Sequence, residues 1–247
     1  GVPVATPLAE LLPDDGLGKG FVMELVEGET LGRRIVTHES LRAARPRMAR
    51  QLGTALAAIH ALPLDDVGLR APTAGRSHAE HQLDAMVELL DSFEARRPAL
   101  EFAVRRLREA LPAARSTSVV HGDFRVGNLV VGPDGLRAVL DWELAHVGDP
   151  AEDLGWLCVR SWRFGGSGRV GGIGELADLL EAYETAGGVP VGEDALIWWE
   201  ALGNLRWAVI CMVQAWTHLG GVRRSVELAA IGRRVCEVEY DLMELLA

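Results

Sequence analysis

Residues 119–131, with the sequence VVHGDFRVGNLVV, decide the fold of this chain. Two short apolar runs, Val119–Val120 and Leu129–Val131, enclose a polar loop. Short β-branched runs bounded by glycine predict buried strands. The loop contains four polar or charged side chains: His121, Asp123, Arg125 and Asn128. Because buried segments rarely keep so many such groups without a reason, the loop is predicted to carry chemistry.

The spacing of the polar residues indicates what that chemistry is. The turn GPDG at residues 132–135 joins the second strand to a third, Leu136–Trp142, as a hairpin. This hairpin folds Asp141 back beside Asn128. A carboxylate and an amide oxygen side by side are suitable ligands for Mg²⁺. Asp123 is then free to accept a proton from a substrate hydroxyl.

The rest of the chain has a mostly helical pattern around this loop. Apolar residues at helical spacing predict helices at Arg47–Leu62, His78–Ala95 and Leu100–Leu111, and further helices beginning near Ala151, Gly174, Glu193 and Val222. Asp194–Trp216 is apolar on nearly all sides, as in a central buried helix. One strand is predicted before the helices, at Gly20–Val26. The stretch GLGKGF at residues 16–21 lacks the spacing of a phosphate loop and predicts a hairpin tip.

Composition excludes several classes of partner. The 247 residues carry a formal net charge of −10, which argues against nucleic acid and against docking to an anionic membrane. The longest apolar stretch, Trp207–Trp216, is too short to cross a bilayer. The three cysteines have no paired spacing, so neither a disulfide framework nor a zinc site is predicted from them. A reduced, cytoplasmic setting is expected.

Three spaced motifs resemble a known family. The loop H-G-D-x-x-x-x-N is similar to the H-R-D-x-x-x-x-N catalytic loop of the protein-kinase-like fold. DWE at residues 141–143 stands where that fold has D-F-G, and HVGDPAEDLGWL at 146–157 follows it. These features resemble the aminoglycoside phosphotransferase family of small-molecule kinases. Within it, the chain is most similar to the phosphotransferase-like domain associated with certain acyl-CoA dehydrogenases. FVMELVEGETL at 21–31 resembles the interlobe hinge, and LAAIHALP at 56–63 the helix end that follows it.

The resemblance implies an α+β, protein-kinase-like fold in which most of the chain is the helical large lobe, built around a short β-hairpin catalytic core. Residues 1–27 are expected to be a remnant of the small β lobe with the hinge strand, and residues 28–247 the large lobe. The small lobe of the family supplies a glycine-rich phosphate cover and a lysine, and neither is visible here. Lys19 is the single lysine, next to the hinge strand. This chain alone is therefore expected to bind nucleotide weakly and to be inactive.

The resemblance also implies a role for each residue of the site. Asp123 would be the general base, and Arg125 would stabilise the transferring phosphoryl group. Asn128 and Asp141 would hold Mg²⁺ on the phosphates of ATP or GTP. The adenine would be bound by Met23, Glu24 and Val26, the last two through their backbone groups. Three residues are expected to support the site structurally: His121, Asp149 and Asp153.

Two functions remain open from the sequence. The first is a kinase that transfers the γ-phosphate of ATP or GTP to a hydroxyl of a small molecule. The second is a non-catalytic nucleotide-binding or scaffold domain, against which the presence of Asp123, Asn128 and Asp141 together argues. A protein-serine kinase is disfavoured because no A-P-E segment follows Asp141. Outside these residues, Glu143 is either a second metal contact or an exposed loop acid, and His60 is interpreted as a partner of a helix dipole.

Overall fold

The chain forms three antiparallel strand pairs and nine α-helices within the residues that the computed structural model describes, namely 1–69, 75–93, 95–113 and 116–247. The strands are β1 Pro7–Glu10, β2 Phe21–Met23, β3 Ser118–Val120, β4 Leu129–Gly132, β5 Gly135–Val139 and β6 His146–Gly148. They pair as β1 with β2, β3 with β6 and β4 with β5.

The predicted hairpin is present as β4 and β5. Gly132 pairs with Gly135 across the turn, and Leu129 pairs with Val139. Gly135 has a φ of 111°, a backbone conformation that a glycine adopts without strain. The hairpin is also tied to the segment after β2, because the backbone of Glu29 exchanges hydrogen bonds of 2.8 and 3.0 Å with Val131.

The amino-terminal strand prediction was partly wrong. The strand expected over Gly20–Val26 spans only Phe21–Met23, and it pairs with β1, which the sequence pattern did not indicate. Residues 16–20 lie at the end of the connection between these two strands and Phe21 begins β2, as expected for a hairpin. Strand β6 was also missed, because three residues are too few to show a periodic pattern.

The helices follow the predicted pattern with shifted ends. They are α1 Gly32–Thr37, α2 Arg45–His60, α3 His78–Asp91, α4 Pro98–Glu109, α5 Ala151–Cys158, α6 Leu176–Thr185, α7 Glu193–Leu219, α8 Val226–Gly232 and α9 Val235–Leu246. The segment predicted near Val222 is two helices, α8 and α9. Helix α3 begins with a reciprocal capping box between Ser77 and Glu80 and ends before Glu94, which lies outside the described residues.

Helix α7 is the central element of the core. It packs against α5, α8 and α9, and Trp198, Trp199 and Leu205 are buried on it. Contrary to the expectation from the sequence, this helix is long and apolar enough to cross a membrane by length and composition. However, 72% of its most apolar window is buried inside the fold, so most of this apolar surface is covered by the neighbouring helices.

Candidate active site

The polar loop after β3 is held by a buried carboxylate. Asp153, on the first turns of α5, has no exposed surface. Its oxygens accept hydrogen bonds from the backbone N–H groups of His121 and Gly122, at 2.8 and 2.9 Å. It also contacts Nε2 of His60 at 3.1 Å. These are the contacts that a bracing role for Asp153 requires, because the carboxylate fixes the direction in which the loop leaves the strand.

His121 links the loop to the hairpin. Its buried ring contacts the carbonyl oxygen of Leu140 through Nε2 at 3.0 Å, and its Nδ1 lies 3.2 Å from the backbone nitrogen of Asp123. Since the carbonyl can only accept and the backbone N–H can only donate, the ring is neutral with its proton on Nε2. His121 therefore connects the residue proposed as base to the residue just before Asp141.

Gly122 is required by the path of the backbone. Its φ is 78°, in the left-handed region that favours glycine. A Cβ at this position would also overlap the carbonyl oxygen of Leu144. The conformation directs the carbonyl oxygen of Gly122 towards Arg206 on α7, which donates a hydrogen bond of 2.9 Å to it.

The Asp123 carboxylate is held by three side chains. Oδ1 accepts from the indole nitrogen of Trp156 at 2.7 Å, and Oδ2 accepts from Nδ2 of Asn128 at 2.7 Å. Nε of Arg125 lies between the two oxygens, at 3.1 and 3.2 Å. An ionised carboxylate offers about four acceptor positions. Trp156 and Asn128 each hold one oxygen of the Asp123 carboxylate and so fix its orientation, and Arg125 is the more exposed of its three partners.

Arg125 was expected to face the phosphoryl group, and in this structure its Nε lies on the Asp123 carboxylate. Its guanidinium carbon is 5.0 Å from the ring centre of Trp162, within the range of a cation–π contact. Arg125 keeps about a quarter of its side-chain surface exposed. Among the described residues, the hydrogen bonds of Arg125 use Nε, which leaves the terminal nitrogens for another acceptor.

Asn128 and Asp141 lie together at one wall of a large cavity. The backbone N–H of Leu140 donates to the carbonyl oxygen of Asn128 at 2.8 Å, which brings the two predicted metal ligands to the same end of the hairpin. Asp141 has a left-handed backbone, with φ 68° and ψ 59°, a conformation that costs energy for a residue with a Cβ. In the described part of the chain, no group forms a hydrogen bond or ion pair with the exposed Asp141 carboxylate.

The cavity has a volume of about 750 Å³ and lies between the amino-terminal strand pair and the hairpin. Met23 lines it, together with Phe21 and Glu143. Glu24 and Val26, the other two residues predicted to bind the adenine, do not line the cavity. The backbone N–H of Glu24 donates to Thr6 at 2.9 Å, so this residue has only its carbonyl oxygen to offer from the backbone.

The other residues assigned to structural support lie around α5. Asp149 is buried, and its Oδ1 accepts from the backbone N–H of Ala151 at 2.9 Å, which satisfies one of the free N–H groups of the first helical turn. The interpretation of His60 needs a correction: its side chain is buried, its Nδ1 lies 2.8 Å from the hydroxyl of Tyr183, and its Nε2 contacts Asp153. It is part of the bracing network, not an isolated partner of a helix dipole.

A second polar cluster, which sequence reasoning missed, lies behind the loop. Glu152 is buried and contacts His78 at 2.7 Å, His146 at 3.2 Å and Arg206 at 3.5 Å. Burial opposes the charge on Glu152, but the hydrogen bonds and positive charge of the two histidines outweigh it and lower its pKa to about 2. Burial likewise lowers the pKa of His146, but Glu152 overcomes it and raises that pKa to about 9.

Trp156 is the other site residue that the sequence analysis did not identify. Its indole nitrogen is bonded to Asp123, and its ring lies 4.8 Å from the guanidinium of Arg206. One signal was available: Trp156 follows Asp153 by three residues, and residues three apart share a helix face. Because Asp153 braces the loop, a side chain on the same face is placed to reach the loop as well.

These features define a protein-kinase-like phosphotransferase core, and the chain belongs to the phosphotransferase enzyme family (APH), whose pattern matches residues 1–196. Acyl-CoA dehydrogenase family member 10 of Mus musculus is 32% identical over 168 residues, which cover 64% of this chain and 15% of that protein. Acyl-CoA dehydrogenase family member 11 of Homo sapiens is 31% identical over 161 residues, 62% of this chain and 20% of that protein. The chain thus spans a fifth or less of these curated relatives. The family resemblance seen in the sequence is confirmed.

Solved structures confirm the α+β, kinase-like fold. A Ralstonia eutropha protein assigned as an aminoglycoside phosphotransferase has a TM-score of 0.77 and 25% identity, over 99% of this chain and 78% of that one. An aminoglycoside phosphotransferase in complex with GDP and kanamycin has a TM-score of 0.66 and 16% identity, over 97% and 77%. A spectinomycin phosphotransferase in complex with ADP and spectinomycin has a TM-score of 0.60 and 14% identity, over 98% and 78%.

Proposed function

We propose that the protein is a small-molecule kinase that transfers the γ-phosphate of ATP or GTP to a hydroxyl group, with Mg²⁺ as cofactor. The observation that carries the proposal is the arrangement of Asp123, Asn128 and Asp141. A carboxylate oriented from both sides lies one hydrogen bond from Asn128, and Asn128 and Asp141 share the wall of one cavity. Nucleotides and small hydroxyl compounds are bound by proteins of the same fold, which supports both halves of the proposed reaction.

In this proposal Asp123 orients the acceptor hydroxyl and accepts its proton. Trp156 and Asn128 fix the carboxylate, so its reacting oxygen is already oriented before the acceptor binds. Arg125 is more exposed than Trp156 and Asn128, the other two partners of the carboxylate, so an acceptor is expected to approach from the side of Arg125. An entering hydroxyl would therefore displace Nε of Arg125, and the released guanidinium would stabilise charge on the transferring phosphoryl group.

The donor set at the cavity wall fits a magnesium ion. Mg²⁺ prefers oxygen ligands and is usually bound through one or two carboxylates, waters and substrate phosphates. Asp141 offers an exposed carboxylate, and Asn128 donates through Nδ2, which leaves its amide oxygen for a cation. Bound Mg²⁺ would neutralise the charge of the phosphate oxygens. Met23 would contact the nucleotide base from the other wall of the cavity.

The same proposal divides the chain into a part of the small lobe with the hinge, followed by the large lobe. Residues 1–27 would belong to the small lobe and hinge, and residues 28–247 to the large lobe that carries the catalytic loop. The amino-terminal strand pair supplies Phe21 and Met23 to the cavity, as a hinge would. The phosphate cover and its lysine would be provided by a small lobe in the full-length protein.

The test is phosphate transfer by the full-length protein. The protein is incubated with Mg²⁺ and γ-labelled ATP or GTP, and label is followed into a panel of aminoglycosides, sugars, choline-like alcohols and hydroxyacyl-CoA compounds. Acceptor-dependent labelling that is lost in Asp123→Asn supports the proposal. Tight Mg²⁺-dependent nucleotide binding without transfer to any acceptor would favour the non-catalytic nucleotide-binding domain instead.

A further inference from the structure

Two histidines and a glutamate converge behind the catalytic loop, outside the proposed magnesium site. Oε2 of Glu152 lies 2.7 Å from Nε2 of His78 and 3.2 Å from Nε2 of His146, and the two ring nitrogens are 3.4 Å apart. Tetrahedral Zn²⁺ binds such atoms at about 2.0–2.2 Å, so its ligand atoms lie roughly 3.3–3.5 Å from one another. Two of the three distances are close to this spacing, and the 2.7 Å contact between Glu152 and His78 would lengthen by roughly 0.6 Å.

A metal ion fits this triangle with little movement. From the three distances, an ion about 2.05 Å from each atom would lie roughly 1 Å outside the plane of the triangle. The three ligands come from separate elements, since His78 begins α3, His146 begins β6 and Glu152 lies on α5. The folding of the chain therefore assembles the triangle, and it is not an accident of one helix face.

The side chain of Gln82 supplies a fourth group. Its Nε2 lies 3.5 Å from Nε2 of His78 and 3.4 Å from Nε2 of His146, so an NH₂ group faces two ring nitrogens. The two ends of a glutamine amide have nearly the same shape. Half a turn of the amide would place its carbonyl oxygen about 3.5 Å from both ring nitrogens, a spacing suited to a further ligand atom. A cavity of about 20 Å³ beside Gln82 and Glu152 also has room for one water.

The hydrogen bonding of His146 is that of a metal-binding histidine. Its Nδ1 lies 2.9 Å from the carbonyl oxygen of Leu144, which can only accept, so Nδ1 carries the proton. Metal-bound histidines almost always donate their other nitrogen to a carbonyl, carboxylate or water. A bound metal would displace the proton that Nε2 donates towards Glu152, and the lone pair of Nε2 would then face the Glu152 carboxylate and Nε2 of His78. Such a concentration of electron pairs favours a cation between them.

We propose that His78, His146 and Glu152, with Gln82 or a water, bind one divalent transition metal of the zinc class. Imidazole nitrogens favour zinc, copper and nickel over magnesium, so the ion is chemically distinct from the one at Asn128 and Asp141. The role of the site in this proposal is structural: Arg206 contacts both Glu152 and the carbonyl oxygen of Gly122, so it links the metal ligands to the catalytic loop. A bound ion would hold α3, α5 and β6 against the back of the catalytic loop.

The experiment uses full-length protein, with any purification tag removed and metals stripped by a chelator. Zn²⁺ is titrated by calorimetry in the presence of excess Mg²⁺, and Co²⁺ is followed by its visible absorption, which distinguishes tetrahedral from octahedral coordination. The test variant is His146→Ala, because this side chain is 29% exposed and lies outside the hydrophobic core. The matched control is His81→Ala, an exposed histidine one turn along the same helix as His78.

The expected result is one equivalent of Zn²⁺ bound by the parent and by His81→Ala, with at least about tenfold weaker binding by His146→Ala. A tetrahedral Co²⁺ spectrum should appear in the parent and disappear in His146→Ala, while circular dichroism shows both proteins folded. The proposal is overturned if the parent binds no stoichiometric Zn²⁺, or if His146→Ala binds it as tightly as the parent. In either case the contacts of Glu152 are hydrogen bonds to a protonated histidine and nothing more.

Discussion

Replacement of Asp153 by asparagine should destabilise the fold while changing almost no volume. The carboxylate accepts from the N–H groups of His121 and Gly122 and contacts His60, all in a fully buried position. In Asp153→Asn one oxygen becomes an NH₂ group. Whichever way the amide turns, that group faces a backbone N–H at the distance of a hydrogen bond, donor against donor.

The magnitude follows from the loss of a buried charge-assisted hydrogen bond and from the donor left without an acceptor. A hydrogen bond to a charged group contributes about 1.5–3 kcal/mol, and an unsatisfied buried donor costs about 1–3 kcal/mol. The expected loss in the free energy of unfolding is therefore about 3–5 kcal/mol. In a chain of this size that corresponds to a decrease in Tm of roughly 6–20 °C.

Urea denaturation followed by circular dichroism measures the change, with Asp178→Asn as the matched control. Asp178 pairs with Arg50 at 3.3 Å, but its side chain is 45% exposed, and exposed pairs contribute about 0–1 kcal/mol. Both substitutions remove one carboxylate charge, so the difference between them isolates burial and the bracing contacts. If Asp153→Asn is within about 1 kcal/mol of the control, the bracing network around Asp153 contributes far less than its geometry implies.

Three further predictions follow from the proposed kinase function and are tested with the full-length protein. Asp123→Asn should keep the fold, as judged by circular dichroism, and lower the phosphate-transfer rate by about 10²–10⁴-fold; a rate within a few-fold of the parent would remove Asp123 from the base role. Asp141→Ala should abolish Mg²⁺-dependent nucleotide binding in a calorimetric titration, and Asn128→Ala should weaken it, because too few protein ligands remain for the ion; an unchanged Mg²⁺ dependence places the metal elsewhere. Arg125→Ala should lower kcat, by less than the roughly 10³–10⁵-fold effect of a transition-state arginine in other phosphoryl-transfer enzymes, and should change nucleotide affinity little. Arg125→Lys should recover part of the lost kcat, because a positive charge is still present. A parental kcat in both variants would mean that Arg125 serves only to hold Asp123.

The parts of the site that the sequence predicted are those formed by local chain geometry. Asn128 and Asp141 lie at one end of a tight hairpin, and the turn that closes it is visible as GPDG. Because a short turn fixes strand register, the meeting of these two residues follows from spacing alone. Asp123 lies five residues before Asn128, within reach of the same strand end.

The missed parts depend on contacts between segments that are distant in the chain. Trp156 and Arg206 reach the loop from α5 and α7, and His60 reaches Asp153 from α2. Helical periodicity identifies the buried face of each helix, but it does not determine which residue of a neighbouring element that face will contact. The hydrogen bonds between Arg125 and Asp123 could not be predicted from the sequence either, because they depend on the side-chain rotamer of Arg125 and not on the sequence spacing of the two residues.

The tight backbone at Gly122 has a regulatory consequence. Protein kinases have an arginine between the histidine and aspartate of this loop, and phosphorylation of their activation segments acts by creating new arginine–phosphate pairs. Here the left-handed φ and the adjacent carbonyl oxygen of Leu144 leave no room for any side chain at that position. A single substitution therefore cannot give this loop a phosphate sensor. Any control by phosphorylation would have to act through another part of the protein.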